Sequence, residues 1–296
     1  MSQVQIAGIQ SGKIAFQVRR LIGRALVYAA VTFGAFVFAL PFLWMLSASV
    51  KPAKYTGLVP MVWIPPEFEW FNYVMPWQRM PFWTFYRNTM LITFSNVIII
   101  TLTTSLVAFG FARIPFRGRN SVFLILLSTM MLPGQVTLIP TYLLWSKLHA
   151  VNTFWPLMIP EWLSAAFDIF LVRQFYMTIS TELDDSARID GCGWFGIYSR
   201  ILLPLSKPAL GVLAIINFSY NWNNFFGPLI YLNDQKKFTI ALGLRLFETR
   251  VGGGTTIQNI GPLMAMTIVS MIPVLITFFI AQRYFIQGIV ITGIKG

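Results

Sequence analysis

Apolar residues in this chain come in long runs. Residues 25–46, 89–112, 121–144, 208–232 and 262–281 carry no charged side chain. Each matches or exceeds the roughly 20 apolar residues that cross a hydrocarbon core as a helix. A sixth run, 153–172, is interrupted by Glu161 and Asp168. Carboxylates are costly in hydrocarbon and are functional candidates by default. Pro156 and Pro160 are expected to start this helix late and leave Glu161 at the outer interface, with Asp168 the open case. The first run is longer than the roughly 7–15 apolar residues of a signal peptide, and it ends in Pro41-Phe42-Leu43-Trp44, so it reads as a membrane helix. The pattern predicts an all-α, polytopic membrane protein with six transmembrane helices.

Six spans and a basic leading segment place both termini in the cytoplasm. On that topology thirteen Lys and Arg fall inside and nine outside, and several of the nine sit in long loops that weigh little in orientation. The clearest vote is the short connector Arg113-Ile114-Pro115-Phe116-Arg117-Gly118-Arg119. The organisation that follows is a cytoplasmic amphipathic segment over 1–24 and a single transmembrane domain over 25–296.

Composition agrees with the pattern. Of the chain, 56% is apolar and only 11% charged, against about 25% charged in soluble proteins. The mean hydropathy is +0.67. A net charge of +12 would raise nucleic acid in a soluble protein; here the basic flanks of membrane spans account for it, and the expected partner is lipid, with no nucleic acid. The outer loop 47–88 holds six prolines and Trp63, Trp70, Trp77 and Trp83, a composition suited to the headgroup level. The cytoplasmic stretch of about 173–207 is longer than a helix connector needs and carries Glu182, Asp184, Asp185 and Asp190. The outer loop 233–261 contains Gly252, Gly253 and Gly254, flexible backbone.

Enzyme chemistry finds few candidates. One cysteine, Cys192, and one histidine, His149, exclude an internal disulfide and a Cys/His metal cluster. Gly252-Gly253-Gly254 is followed by Thr255-Thr256 and no lysine, so it lacks the ending that cradles nucleotide phosphates. No cofactor is expected in this chain. The most enzyme-like string is Asp184-Asp185-Ser186-Ala187-Arg188-Ile189-Asp190. Paired aspartates hold Mg²⁺ against a diphosphate in membrane prenyltransferases, but such enzymes present two acidic clusters and this chain has one.

The segment from Glu182 to Asp190 reads better as a short helix. Its acids crowd the first turns, where they suit the positive end of the dipole, and Gly191 terminates it. Leu183, Ala187 and Gly191 recur every four residues as a stripe of diminishing bulk, which suits close docking into a groove on another protein. Asp185-Ser186-Ala187, three residues, Gly191, nine residues, then Ile201-x-Leu203-Pro204 resembles the signature cytoplasmic loop of ABC-importer permeases, Glu-Ala-Ala-x3-Gly-x9-Ile-x-Leu-Pro. Spacing matches throughout, with Asp for Glu and Ser for the first Ala. Further matches run from about Tyr28 to Gly296: Asn72-Tyr73 with Arg87-Asn88-Thr89, Met131-Leu132-Pro133 with Ile139-Pro140, and Trp222-Asn223-Asn224-Phe225 with Pro228-Leu229. Gln282-Arg283-Tyr284-Phe285, Gly288 and the terminal Gly293-Ile294-Lys295-Gly296 complete the set. They resemble carbohydrate-uptake permeases similar to the second permease subunit of the maltose importer.

That resemblance implies a six-helix subunit of a prokaryotic cytoplasmic membrane. It would pair with a homologous permease, two ATPase subunits that bind ATP and Mg, and an extracytoplasmic solute-binding protein. Glu182, Asp185, Ser186, Ala187, Arg188, Asp190, Gly191, Leu203 and Pro204 are the implied ATPase-docking residues, and Gly252, Gly253 and Gly254 a contact loop for the binding protein. Asn217, Tyr220, Asn221 and Asn224 are candidate pathway-lining residues, since amides and aromatic faces suit sugars. Such amides also hold membrane helices together, and Trp222 and Asn223 read first as structural. A self-sufficient secondary transporter is the alternative; it would carry repeated halves and a midplane ion site, and neither is evident.

Overall fold

The computed structural model describes residues 3–56, 58, 60–163, 165–251 and 260–292. Among these the regular elements are helical. Four helical stretches are long and apolar enough to cross a membrane, and there are up to six when each of two sharply bent pairs is taken as one span. The chain divides into two compact units, Met1–Asn72 with Ile257–Ala265, and Tyr73–Thr256 with Met266–Gly296.

In the first unit α1 (Gln3–Ser49) is one continuous helix of 47 residues. None of its most apolar stretch is buried within its own unit. Behind it the chain folds back on the helix end. Ser47 Oγ donates to the Trp63 carbonyl, and the buried Asn72 amide donates to the carbonyls of Ser49 and Lys51 at 3.0 and 2.9 Å. A side chain at Gly261 would meet Asn72 Cγ at 2.9 Å and the Lys51 carbonyl at 3.0 Å, so glycine is required for this approach.

The second unit contains α2 (Met75–Arg79), α3 (Phe82–Arg113), α4 (Arg119–Ser128), α5 (Gly134–Lys147), α6 (Trp155–Trp162) and α7 (Ala166–Thr178). There follow α8 (Glu182–Ile189), α9 (Trp194–Ile197), a π-turn Tyr198–Leu202, α10 (Leu203–Leu205), α11 (Lys207–Trp222), α12 (Phe226–Tyr231) and α13 (Ile240–Val251). The last helix, α14 (Gly261–Thr292), runs from the first unit into the second. The long α3 is the hub, packed against α6, α7, α11 and α13.

Three of the predicted runs are broken where proline or a polar turn interrupts the backbone ladder. The run 121–144 is not one straight helix: α4 and α5 meet at 95°. Leu132 is extended (ψ 114°) ahead of Pro133, as the ring clash of the following proline demands. The run 153–172 starts at Trp155 with Pro156 in the first turn and Pro160 inside the helix. It therefore does not start late, and the break comes beyond Glu161, between Trp162 and Ala166. The run 208–232 stops at Trp222 and resumes as the short α12.

Close packing at the α3–α13 contact gives a direct test. Phe82, Phe85 and Phe247 are almost wholly buried and meet edge to face at centroid distances of 5.5 Å. A side-chain carbon at Gly243 would lie 2.7 Å from Phe85 Cε2, inside van der Waals contact, and the wedged ring has nowhere to go. Gly243→Ala is expected to destabilise the protein by about 1–3 kcal/mol, read as a lowered unfolding midpoint in detergent.

Candidate functional site

The predicted amphipathic segment forms as α8, Glu182–Ile189, with all three first-turn acids in place. Its end is a Schellman motif: Cys192 N–H donates to the Ala187 carbonyl at 2.8 Å and Gly191 N–H to Arg188 at 3.0 Å. Gly191 sits at φ +83°, a conformation that side chains other than glycine resist. At the other end Glu182 N–H donates to Ser180 Oγ at 3.2 Å.

The face that α8 turns inward is set by Asp184 and Ala187, three residues apart. Ala187 is 8% exposed and belongs to an apolar core with Phe109, Val172, Ile197, Tyr198 and Leu202. Asp184 Oδ2 lies 2.9 Å from Arg113 Nε, both side chains almost fully buried. Arg113 also donates to the Ile179 carbonyl at 2.7 Å, so the last turn of α3 holds both the helix and the chain leading into it. Burial pushes the Asp184 carboxyl above its ordinary range, against the downward pull of the Arg113 charge.

This corrects one reading of the sequence. The stripe Leu183, Ala187, Gly191 does not lie on one free face, because the small Ala187 is used to seat the helix on its own core. Nor do Asp184 and Asp185 form a carboxylate pair: consecutive residues diverge by about 100° on a helix, and Asp184 is committed to Arg113 while Asp185 faces solvent. The outward face carries Glu182, Asp185, Ser186 and Ile189, with Asp190 and Gly191 at the end. Ile189 is 88% exposed, on a helix face that carries acids, and Phe195 on α9 is 74% exposed. Arg188 is drawn aside to cover the Trp194 ring at 3.9 Å. Leu203 packs partly against the same core and Pro204 is exposed.

A second polar centre lies among the long helices. Asn217 Nδ2 donates to Asp168 Oδ2 at 3.1 Å, Asn221 Nδ2 to the Asn217 carbonyl at 2.9 Å, and Asn96 Nδ2 to Asn221 Oδ1 at 2.6 Å. Asn96 also donates to the Leu157 carbonyl at 2.9 Å and accepts from Trp162 Nε1 at 3.1 Å. The network joins α3, α6, α7 and α11. Asn217 and Asn221 are therefore hydrogen-bonded inside the bundle, each 6% exposed. Asn224 Oδ1 accepts from Gly227 N–H at 3.1 Å. Of the four, Tyr220 presents its ring outward, 57% exposed. Trp222, buried, donates to the Ser270 carbonyl at 2.9 Å, the structural role expected of it. Gly252, Gly253 and Gly254 lie outside the described residues.

Sequence reasoning missed Arg113, which it counted only as a basic flank, and Asn96 and Trp162. A charge at the final position of an apolar run and an amide in its middle were the available signals. Ile189 was missed too, an isoleucine among acids.

Among the described residues, fold and site together define a helical membrane component with a short, firmly seated helix whose outer face is exposed. The chain belongs to the family of binding-protein-dependent transport system inner membrane components, whose model matches residues 100–291. It is 33% identical over 267 residues to the arabinooligosaccharides transport system permease protein AraQ of Halalkalibacterium halodurans, covering 89% of this chain and 94% of that one. It is 32% identical over 238 residues to the sn-glycerol-3-phosphate transport system permease protein UgpE of Yersinia enterocolitica, covering 78% and 83%. Its fold is also that of a crystal structure of a bacterial ABC transporter involved in the import of the acidic polysaccharide alginate, with a TM-score of 0.76 at 24% identity over 90% of this chain and 97% of that one. The chain is thus a permease of an ABC importer, which replaces the secondary-transporter and prenyltransferase readings.

Proposed function

We propose that this chain is one half of the translocation pathway of an ATP-driven importer for a sugar or sugar-like solute, and that α8 is the helix through which an ATPase drives it. On this reading there are six spans, each bent pair counting as one, with both termini and α8 in the cytoplasm of a prokaryotic cell. The carrying observation is the construction of α8: an inner face welded to α3 by Arg113–Asp184 and to the core by Ala187, and an outer face with Ile189 88% exposed among Glu182, Asp185 and Asp190. A helix seated in this way moves with the membrane helices and not independently of them.

The partners are a homologous permease, two ATPases that bind ATP and Mg, and an extracytoplasmic binding protein that the loop at Gly252, Gly253 and Gly254 contacts. The unburied apolar length of α1 supports a membrane-embedded partner beside lipid. ATP shifts the permease between inward and outward access only by its different affinity for the two states. Relatives named for arabinooligosaccharides and glycerol phosphate support the solute class, and Tyr220 is the pathway-lining residue of this subunit.

Affinity purification of the tagged chain from its native membrane, with mass spectrometry of what accompanies it, tests this. A P-loop ATPase and a second six-helix permease are expected, and Ile189→Asp should lose the ATPase while keeping the permease. Recovery of an active chain with no ATPase refutes the proposal.

A further inference from the structure

Glu161 is an anion at a depth where lipid tolerates one poorly. Its neighbour Trp162 donates to Asn96 at 3.1 Å. Asn96 stands on the unbroken α3, roughly 14 Å from Arg87 and 26 Å from Arg113 along the helix axis, inside the charge-free stretch 88–112. A carboxylate at that level faces a bundle interior, a partner charge or water. Glu161 is not spent inside its own bundle: the residue is only partly buried, and among the described residues it makes no hydrogen bond and no ion pair. Asp168 differs, being 5% exposed and accepting from the Asn217 amide at 3.1 Å. The two carboxylates lie within electrostatic reach of each other, so Glu161 is repelled from the asparagine network and not drawn into it. Tyr220, 57% exposed, is within reach of Glu161 as well.

We propose that Glu161 is a specificity-determining residue of the translocation pathway: beside Tyr220 its carboxylate forms a negative wall that admits uncharged, hydroxyl-rich solutes and holds back anionic ones. A carboxylate and a phenol exchange hydrogen bonds with sugar hydroxyls. A phosphate or uronate at the same place meets a like charge, and a narrow passage with low-dielectric walls focuses that field. No basic residue on the elements packed here offsets it, since residues 88–112 of α3, 155–172 of α6 and α7, and 208–222 of α11 contain no lysine or arginine. A lipid-facing surface would leave the charge in hydrocarbon, and a dry seal against the homologous permease would need a cation opposite Glu161. The inference rests on the importer reading proposed above and deepens it. Of the solute classes that the relatives' names support, arabinooligosaccharides and glycerol phosphate, it selects the uncharged one.

The test uses the full importer complex in proteoliposomes, with Cys192, the one cysteine of the chain, changed to alanine and Tyr220→Cys as reporter. Ile216→Cys, one turn away on the same face of α11 and 38% exposed, is the second reporter. Modification rates are measured with a trimethylammonium and a sulfonate methanethiosulfonate reagent of similar size, with and without ATP and vanadate. Both reagents should react, with the cation favoured about tenfold beyond its ratio on a free thiol, and Glu161→Gln should remove most of that preference. The sulfonate is itself a small anionic solute, so its slow reaction reads the exclusion directly. Modification of neither reporter in either state means that lipid or protein seals this surface, and overturns the proposal. So does the absence of a cation preference, or one that Glu161→Gln leaves unchanged. The importer reading fails separately, on the absence of an ATPase from the complex: a Glu161-dependent preference in a chain without one would keep the negative wall and refute the importer.

Discussion

Asp184→Asn will destabilise the protein by about 3–5 kcal/mol, the loss that follows when one partner of a buried ion pair is removed and the other charge is left uncompensated. The partners lie 2.9 Å apart, with side chains 5% and 8% exposed; a surface pair would be worth a fraction of that. Arg113 keeps its bond to the Ile179 carbonyl, so the arginine stays in place as a stranded cation, which is why the loss is large. The control is the double change Arg113→Met with Asp184→Leu, expected to recover most of the stability because an apolar pair of similar size is often as good as a buried ion pair. Unfolding midpoints of the purified complex in detergent measure both. Single variants within about 0.5 kcal/mol of the unaltered protein would mean that the pair does not anchor α8. In cells the destabilised variant should also import poorly, since the helix it frees is the one proposed to receive the ATPase stroke.

Gly191→Val is expected to leave ATP hydrolysis running while uptake falls about tenfold or more. A valine methine at this position would meet no neighbouring atom, so the effect is not a clash. It comes from the backbone: φ is +83°, and a β-branched residue there costs on the order of 1–2 kcal/mol, enough to shift a two-state equilibrium about tenfold. Relief of that strain unwinds the hydrogen bonds from Gly191 and Cys192 to Arg188 and Ala187 and loosens the outward face. Gly191→Asn, which tolerates the left-handed region, should keep most of the uptake. The ratio of solute imported to ATP hydrolysed in reconstituted vesicles separates the two variants, and equal ratios would remove Gly191 from the coupling path.

The elements that could be read from the chain were those written in local chemistry. Uncharged runs located the apolar helices, and the acid-rich start with glycine behind it located α8 to within a residue. What could not be read was which face of α8 is buried, because a helical period fixes the spacing of a stripe but not its neighbour. Arg113 and Asp184 are 71 positions apart, and only the folded core shows that α8 lies against the end of α3. The broken spans were partly legible: Pro133 was visible, but the pause after Trp162 follows from how α6 and α7 each pack on α3. The asparagines drew attention because amides suit sugars; that Asn221 accepts from Asn96 and Asn217 donates to Asp168 could not be read from the chain, since these partners are 125 and 49 positions away.

The same network constrains how the protein is made. α1 has no charge over residues 25–46 and only the one break in its hydrogen-bond ladder that Pro41 imposes, so it can enter the bilayer alone as soon as it is synthesised. Helix α3 cannot complete itself so early. Asn96 finds its first partners, the Leu157 carbonyl and Trp162, only 61 and 66 residues further along the chain and Asn221 after 125, and until α6 arrives its amide is in lipid or held by the insertion machinery. Membrane insertion of this chain is thus expected to be sequential for α1 but joint for α3, α6 and α11, with α3 remaining the vulnerable element of the nascent protein until α6 and then α11 are delivered.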